Sequence, residues 1–198
     1  MDFQFPDRFP RIVAVAHAML APRIRPGDTV LDATAGNGHD TVFLAALVND
    51  KGSVIAIDIQ QSAIDATRQR SESLGLANRV QLVHDSHTQV DTILSTRSIN
   101  TLSVAIFNLG YLPGGDKSLV TQPQTTISSL EQTLAYIRPG GLLLIVCYPG
   151  HPEGAIESKV VNEWASSLNK QQFLAVSYQS LNQPKRPPYI IAIERRGE

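Results

Sequence analysis

The chain has 198 residues, 42% of them apolar and 18% charged, which suits a folded globule and excludes a disordered or low-complexity chain. Its 17 basic and 18 acidic residues leave a net charge of −1, so no overall basic field draws it to nucleic acid or to a membrane surface. One cysteine, Cys147, excludes a disulfide framework. No Cys/His spacing marks a metal site, and no apolar stretch is long enough to span a membrane. The expected compartment is cytoplasmic, and the length suits one domain over residues 1–198.

Apolar residues Ile12, Val13, Val15, Ala16, Met19 and Leu20 recur with a helical period, predicting a helix over 9–21 that covers one face of a sheet and ends at Pro22, Pro26 and Gly27. Asp28 to Ala33 reads as the first strand. It breaks at Gly36-Asn37-Gly38 and re-enters a helix from Asp40 to Val48, with Phe43, Leu44 and Leu47 toward the core. The two glycines allow positive φ and close approach of a ligand, and the N–H groups of the helix start face the same spot. Ser53 to Asp58 is a second strand, ending in an acid 22 residues beyond Gly36, where a carboxylate can hold a ribose diol. A dinucleotide fingerprint would want a third glycine where Thr41 stands, which disfavours a nicotinamide oxidoreductase.

Gln61 to Leu74 is a helix capped by Gly75, Arg79 to Val83 a short strand, and 88–95 another helix. Between the last two, His84-Asp85-Ser86-His87 lies at a strand's carboxyl end, the ligand side of an open α/β sheet. Asn100 to Asn108 is the fourth strand and runs into Leu109-Gly110-Tyr111-Leu112-Pro113-Gly114-Gly115. A helix over Pro123–Tyr136, a turn at Pro139-Gly140-Gly141 and the very apolar strand Leu142–Cys147 follow, with Cys147 read as a buried thiol. Ala155 to Leu168 is a helix with Trp164 expected in the core. Phe173–Leu181 and Tyr189–Glu194 pair as an antiparallel edge. Seven strands with interleaved helices predict an α/β, doubly wound, Rossmann-like sheet with helices on both faces.

Several of these motifs together resemble one family. Asp32-Ala33-Thr34-Ala35-Gly36-Asn37-Gly38, then Asp58, then His84-Asp85-Ser86-His87 are similar to the cofactor loop, ribose acid and adenine segment of class I S-adenosylmethionine-dependent methyltransferases. More narrowly, Gly36-Asn37-Gly38-His39-Asp40-Thr41, Asp58-Ile59-Gln60, Ser86-His87, Phe107-Asn108-Leu109-Gly110-Tyr111 through Lys117, and Tyr148-Pro149-Gly150-His151-Pro152-Glu153-Gly154 resemble the YtqB-like family, long labelled rRNA methylases. The resemblance runs from about residue 11 to the last strand. It implies the strand order 3-2-1-4-5-7-6 and S-adenosylmethionine as cofactor. It implies methyl transfer to the 5-aminomethyl group of the tRNA wobble uridine, giving 5-methylaminomethyl-(2-thio)uridine.

The resemblance implies cofactor contacts at Ala35, Gly36, Asn37, Gly38, Asp40, Asp58, Gln60, Asp85, Ser86 and His87, and catalytic roles for Asn108, Tyr111 and Asp116. In amine-directed methyltransferases an Asn or Asp is followed by Pro-Pro-Tyr or Phe; here Asn108 and Tyr111 keep the outer positions while Leu109 and Gly110 replace both prolines, which fits a flexible aminomethyl arm. Asp116, Tyr111 and His151 stay open as the base. The expected partner is tRNA, with a homodimer open. Arg8 with Arg11, Arg23 with Arg25, Lys185 with Arg186, and Arg195 with Arg196 are the candidate phosphate contacts. A small-molecule N- or O-methyltransferase and a non-catalytic S-adenosylmethionine-binding subunit are the alternatives.

Overall fold

The computed structural model describes residues 9–110, 121–183 and 187–197. Seven strands form one sheet: β1 (Thr29–Asp32), β2 (Ser53–Asp58), β3 (Val80–His84), β4 (Leu102–Asn108), β5 (Ile137–Cys147), β6 (Phe173–Tyr178) and β7 (Tyr189–Arg195), in the order 3-2-1-4-5-7-6. β1 to β5 run parallel, and β7 lies antiparallel between β5 and β6. The doubly wound methyltransferase sheet expected from the sequence is therefore the one observed.

Strand residues alternate between two cores because successive side chains point to opposite faces. Leu31, Ala105, Phe107, Leu143 and Ile145 pack beneath α4 (Val90–Thr96), α5 (Pro123–Tyr136) and α6 (Pro152–Ser167). Val30, Val104, Ile106, Leu142 and Leu144 meet α1 (Ile12–Leu20) and α2 (His39–Val48) on the other face. Both faces are covered, so the central strands are continuous apolar runs. Each large side chain buried there, Phe107 among them, contributes about 1.5–3 kcal/mol. α3 (Gln61–Ser73) packs beside α2 and ends as expected at Gly75, whose φ of 68° lets the Gly75 N–H reach the Glu72 carbonyl.

Some details differ from the sequence reading. α1 begins at Ile12, with Phe9 exposed, and Val13 is partly exposed in the lining of a cavity rather than buried in the core. In α2 it is Leu44, Ala45 and Val48 that are buried, while Phe43 and Leu47 are half-buried at the edge of the core. Pro139-Gly140-Gly141 is no free turn. The strand continues through it as a bulge, with Leu102 opposite Ile137 but Val104 opposite Leu142. Turn-forming residues inside a strand mark such an irregularity when neighbouring strands hold both ends. α6 starts at Pro152 rather than Ala155, since proline suits the first helical position. β6 stops at Tyr178, and Trp164 is half-buried against the core.

Among the described residues no helix is long and apolar enough to cross a membrane, and no group of three or more His, Cys, Asp or Glu could hold a metal ion. Cys147 is buried, and burial pushes its thiol pKa up to about 12. A thiol so placed is not the reactive thiolate. Ellman's reagent is expected to leave Cys147 unmodified in the native protein and to titrate one thiol after unfolding in guanidinium; rapid native labelling would contradict the buried placement.

Candidate active site

The carboxyl ends of β1, β2, β4 and β5, with the segment after β3, surround a cavity of about 1050 Å³. Its floor is the loop after β1. The buried Asp32 carboxylate accepts from Thr41 Oγ1 at 2.6 Å and from the Thr34 N–H at 3.3 Å, tying the strand end to the first turn of α2. Gly36 and Gly38 take φ of 54° and 77°, which disfavour other residues. A Cβ on Gly38 would stand 2.9 Å from Thr67 Cα, so α3 packs directly on the loop. From α3, Thr67 Oγ1 donates to the Gly36 carbonyl at 3.1 Å and Arg70 Nε to the Asn37 carbonyl at 2.6 Å.

Asp58 closes one side. Its two oxygens accept from the Gly36 N–H at 2.8 Å and the Gln60 N–H at 2.9 Å, which fixes the carboxylate and leaves each oxygen a second lone pair. Ser86 accepts from the Thr88 N–H at 3.2 Å and so caps the 3₁₀ turn His87–Gln89. His87 stands edge-on to Phe107, and burial pulls its pKa down, partly offset by the charge of Asp58. Among the described residues its Nε2 is buried with no hydrogen-bond partner, on a residue that lines the cavity. Asp85 is exposed, accepts from the Ser86 N–H at 2.7 Å, and lies outside the cavity lining.

The other side is built around Asn108. Its backbone N–H donates to Thr34 Oγ1 at 2.7 Å and its Nδ2 to Asp40 Oδ2 at 2.9 Å. The second Asp40 oxygen lies 2.7 Å from His17 Nε2, and the His17 ring stacks on Phe43 with centroids 3.6 Å apart and planes 2° from parallel. The Gly110 N–H donates to Thr121 Oγ1 at 3.0 Å, and the Thr121 N–H returns to the Gly110 carbonyl at 3.3 Å. Thr121 and Thr126 hydroxyls each donate at 2.6 Å to the buried Glu157, whose pKa is raised by burial and pulled back by those two bonds. Tyr111 and Asp116 lie outside the described residues, as does Lys117. His151 lines the cavity, and its Nδ1 accepts from the Gly154 N–H at 3.1 Å. His151 thus serves as the N-cap of α6, and the same Nδ1 lies 3.3 Å from Glu153 Oε2.

The lining carries Asp40 and Asp58 but, among the described residues, no lysine or arginine. A pyrophosphate would find two carboxylates and no cation. A sulfonium amino acid attached to adenosine, with positive charges and a ribose diol, fits this set, and His87 Nε2 offers an unused polar atom to an adenine edge. The chemistry of the lining thus matches S-adenosylmethionine and not a dinucleotide.

Comparison with known proteins agrees. The family described as "Putative rRNA methylase" matches residues 54–194. The chain belongs to this family. A shorter match over residues 8–91 is to the protein-L-isoaspartate(D-aspartate) O-methyltransferase family. The chloroplastic tRNA (mnm(5)s(2)U34)-methyltransferase of Arabidopsis thaliana is 36% identical over 92% of this chain and 69% of its own length. Two crystal structures are similar over 95% of this chain and 99% of theirs. One is a "putative rRNA-methylase" from Clostridium thermocellum, 35% identical with a TM-score of 0.91; the other is a "putative methyltransferase" from Streptococcus mutans in complex with SAH, 34% identical with a TM-score of 0.85. This rRNA methylase family member is an S-adenosylmethionine-dependent methyltransferase.

The cavity brings together Ala35, Gly36, Asn37, Asp40, Asp58, Gln60, Ser86, His87 and Asn108. Gly38 shapes the loop from behind. Sequence reasoning missed His17, Thr34, Thr67, Arg70, Thr121 and Glu157. Of the basic candidates, Arg23 is engaged by Glu194 at 2.6 Å and Arg195 by the Ile137 carbonyl at 2.8 Å, so both hold the fold together. Arg8, Lys185 and Arg186 lie outside the described residues.

Burial, then the charge of Asp40, raises the Asp32 pKa to about 7, against the opposing bonds from Thr41 and Thr34. A carboxyl raised in the folded state keeps a proton that the unfolded chain loses, so stability falls as pH rises from about 4 to 7 and levels off above. Urea midpoints measured across that window are expected to decline less in Asp32→Asn than in the parent; parallel declines would reassign the pH dependence.

Proposed function

We propose that this methyltransferase acts on tRNA and transfers its methyl group to the primary amine of 5-aminomethyl-(2-thio)uridine at the wobble position, giving the 5-methylaminomethyl nucleoside. The observation that carries the reading is the Asn108 amide at the end of β4, opening on the same cavity as the glycine loop and Asp58. The similarity to the Arabidopsis tRNA (mnm(5)s(2)U34)-methyltransferase supports the substrate. The cavity is large enough for a second ligand beside the cofactor.

When bound, S-adenosylmethionine supplies an electrophilic methyl group on a positively charged sulfur. Asn108 holds the neutral amine by an N–H and points its lone pair along the line of attack. Transfer would form a nitrogen–carbon bond as the carbon–sulfur bond breaks, and the nitrogen would then shed a proton. Asp58 and Gln60 would hold the ribose, His87 and Ser86 would flank the adenine, and Ala35 to Gly38 would contact the amino-acid end. Leu109 and the Gly110–Thr121 pair of hydrogen bonds fix the wall beside the amine. Tyr111, Asp116 and His151 are the candidates to take up the proton.

Two measurements test the division of labour. Asn108→Ala is expected to lower kcat by about ten- to a hundredfold while S-adenosylhomocysteine affinity stays within about twofold, and Asp58→Ala to lower that affinity by about tenfold or more. Equal effects of Asn108→Ala on both quantities would move Asn108 to the cofactor side. Nucleoside mass spectrometry of tRNA from a strain lacking the protein should show 5-aminomethyl-(2-thio)uridine accumulating at the expense of its methylated form. An unchanged nucleoside profile, with transfer of labelled methyl into a metabolite pool, would replace tRNA by a small amine.

A further inference from the structure

An asparagine side chain is nearly symmetrical in shape, so its carbonyl and its NH₂ can exchange places by a half-turn at little steric cost. What binds it decides which group faces a ligand. At Asn108 the NH₂ donates to Asp40 Oδ2 at 2.9 Å. A carboxylate only accepts, so the reversed amide would set oxygen against oxygen. Asp40 is itself held: its other oxygen is 2.7 Å from His17 Nε2, and the His17 ring lies flat on Phe43. The Asn108 backbone is anchored on Thr34 Oγ1 at 2.7 Å. The Asn108 carbonyl oxygen takes no hydrogen bond from any described residue, on a side chain that lines the cavity.

The direction matters for the reaction. An amine about to be methylated must give an N–H to the protein and keep its lone pair for the methyl carbon. A carbonyl at this point accepts that N–H. An NH₂ there would donate into the lone pair and block it.

We propose that Asp40, steadied by His17, is a positioning residue that locks the Asn108 amide with its carbonyl toward the acceptor amine. This rests on the role given to Asn108 above. It moves Asp40 from the cofactor side, where the sequence resemblance put it, to the acceptor side. It also makes α1, which supplies His17, a working part of the active site.

The test uses the full chain, undermodified tRNA, and S-adenosylhomocysteine affinity by calorimetry, with melting curves to check folding. Asp40→Ala is expected to lower kcat by about thirtyfold with affinity for S-adenosylhomocysteine changed by no more than about twofold. In an Asn108→Ala background the same change should cost at most about twofold more, since it acts through a group already removed. Asp40→Asn should recover most of the rate, because its amide oxygen still accepts from Asn108 while its NH₂ meets the His17 ring. Loss of S-adenosylhomocysteine affinity in both backgrounds, without recovery in Asp40→Asn, would return Asp40 to the cofactor and overturn the proposal. If Asn108→Ala leaves kcat unchanged, the role of Asn108 itself falls. If it lowers kcat and Asp40→Ala adds its full factor on top, only the present inference fails. Should Asp40→Ala not fold, His17→Ala carries the same comparison: a lower kcat, unchanged affinity and no added loss without Asn108 support the proposal, and the reverse pattern overturns it.

Discussion

A backbone that turns through two left-handed glycines keeps one shape only when its own polar groups are bound, and between Ala35 and Gly38 most of them are. The Ala35 N–H donates to the Ile57 carbonyl, the Gly36 N–H to Asp58 and the Gly38 N–H to the Ala35 carbonyl, while Thr67 and Arg70 hold the carbonyls of Gly36 and Asn37. β2 and α3 therefore dictate the loop as much as its own sequence does. Asp58 is pinned by the loop it pins. The cradle and the acid beside it hold each other in place, which lowers the cost of ordering them when a ligand arrives.

Three aspartates crowd this end of the sheet, and their environments divide the work. Asp32 is wholly buried, and desolvation with the nearby charge of Asp40 keeps it protonated to about pH 7, so it acts as a strut for Thr41 and Thr34. Asp58 and Asp40 line the cavity instead, one bound by backbone N–H groups and the other by His17 and Asn108. An acidic cavity without lysine or arginine in its described lining suits a cationic donor and an amine acceptor in the same space.

The sheet could be read from the sequence because its strands are short apolar runs, each ending in a polar or glycine-rich segment. Those ends also disclosed Gly36, Asp58, His87 and Asn108. What stayed hidden acts across long sequence separations. His17 interrupts an apolar helical stripe and reads as a tolerated polar residue until Asp40, 23 positions on, is seen beside it. Thr67 and Arg70 sit on a helix of ordinary polar composition, and nothing local says that they face a loop 31 and 33 residues earlier. Glu157 looks like a solvated helix acid, yet it is buried because two threonines meet it. Pro139-Gly140-Gly141 misled in the opposite sense: its local chemistry is that of a turn, and β4 and β7 override it.

That bulge lies at the end of β5 remote from the cavity. Beyond it the pairing is regular from Val104 opposite Leu142 to Asn108 opposite Val146, so the irregularity is absorbed before the strand reaches the chemistry. Pro139 and Gly140 are exposed, and nothing stands within 4 Å of where a Cβ on Gly140 would be. A change confined to the exposed side of that corner would leave the opposite rim at its spacing.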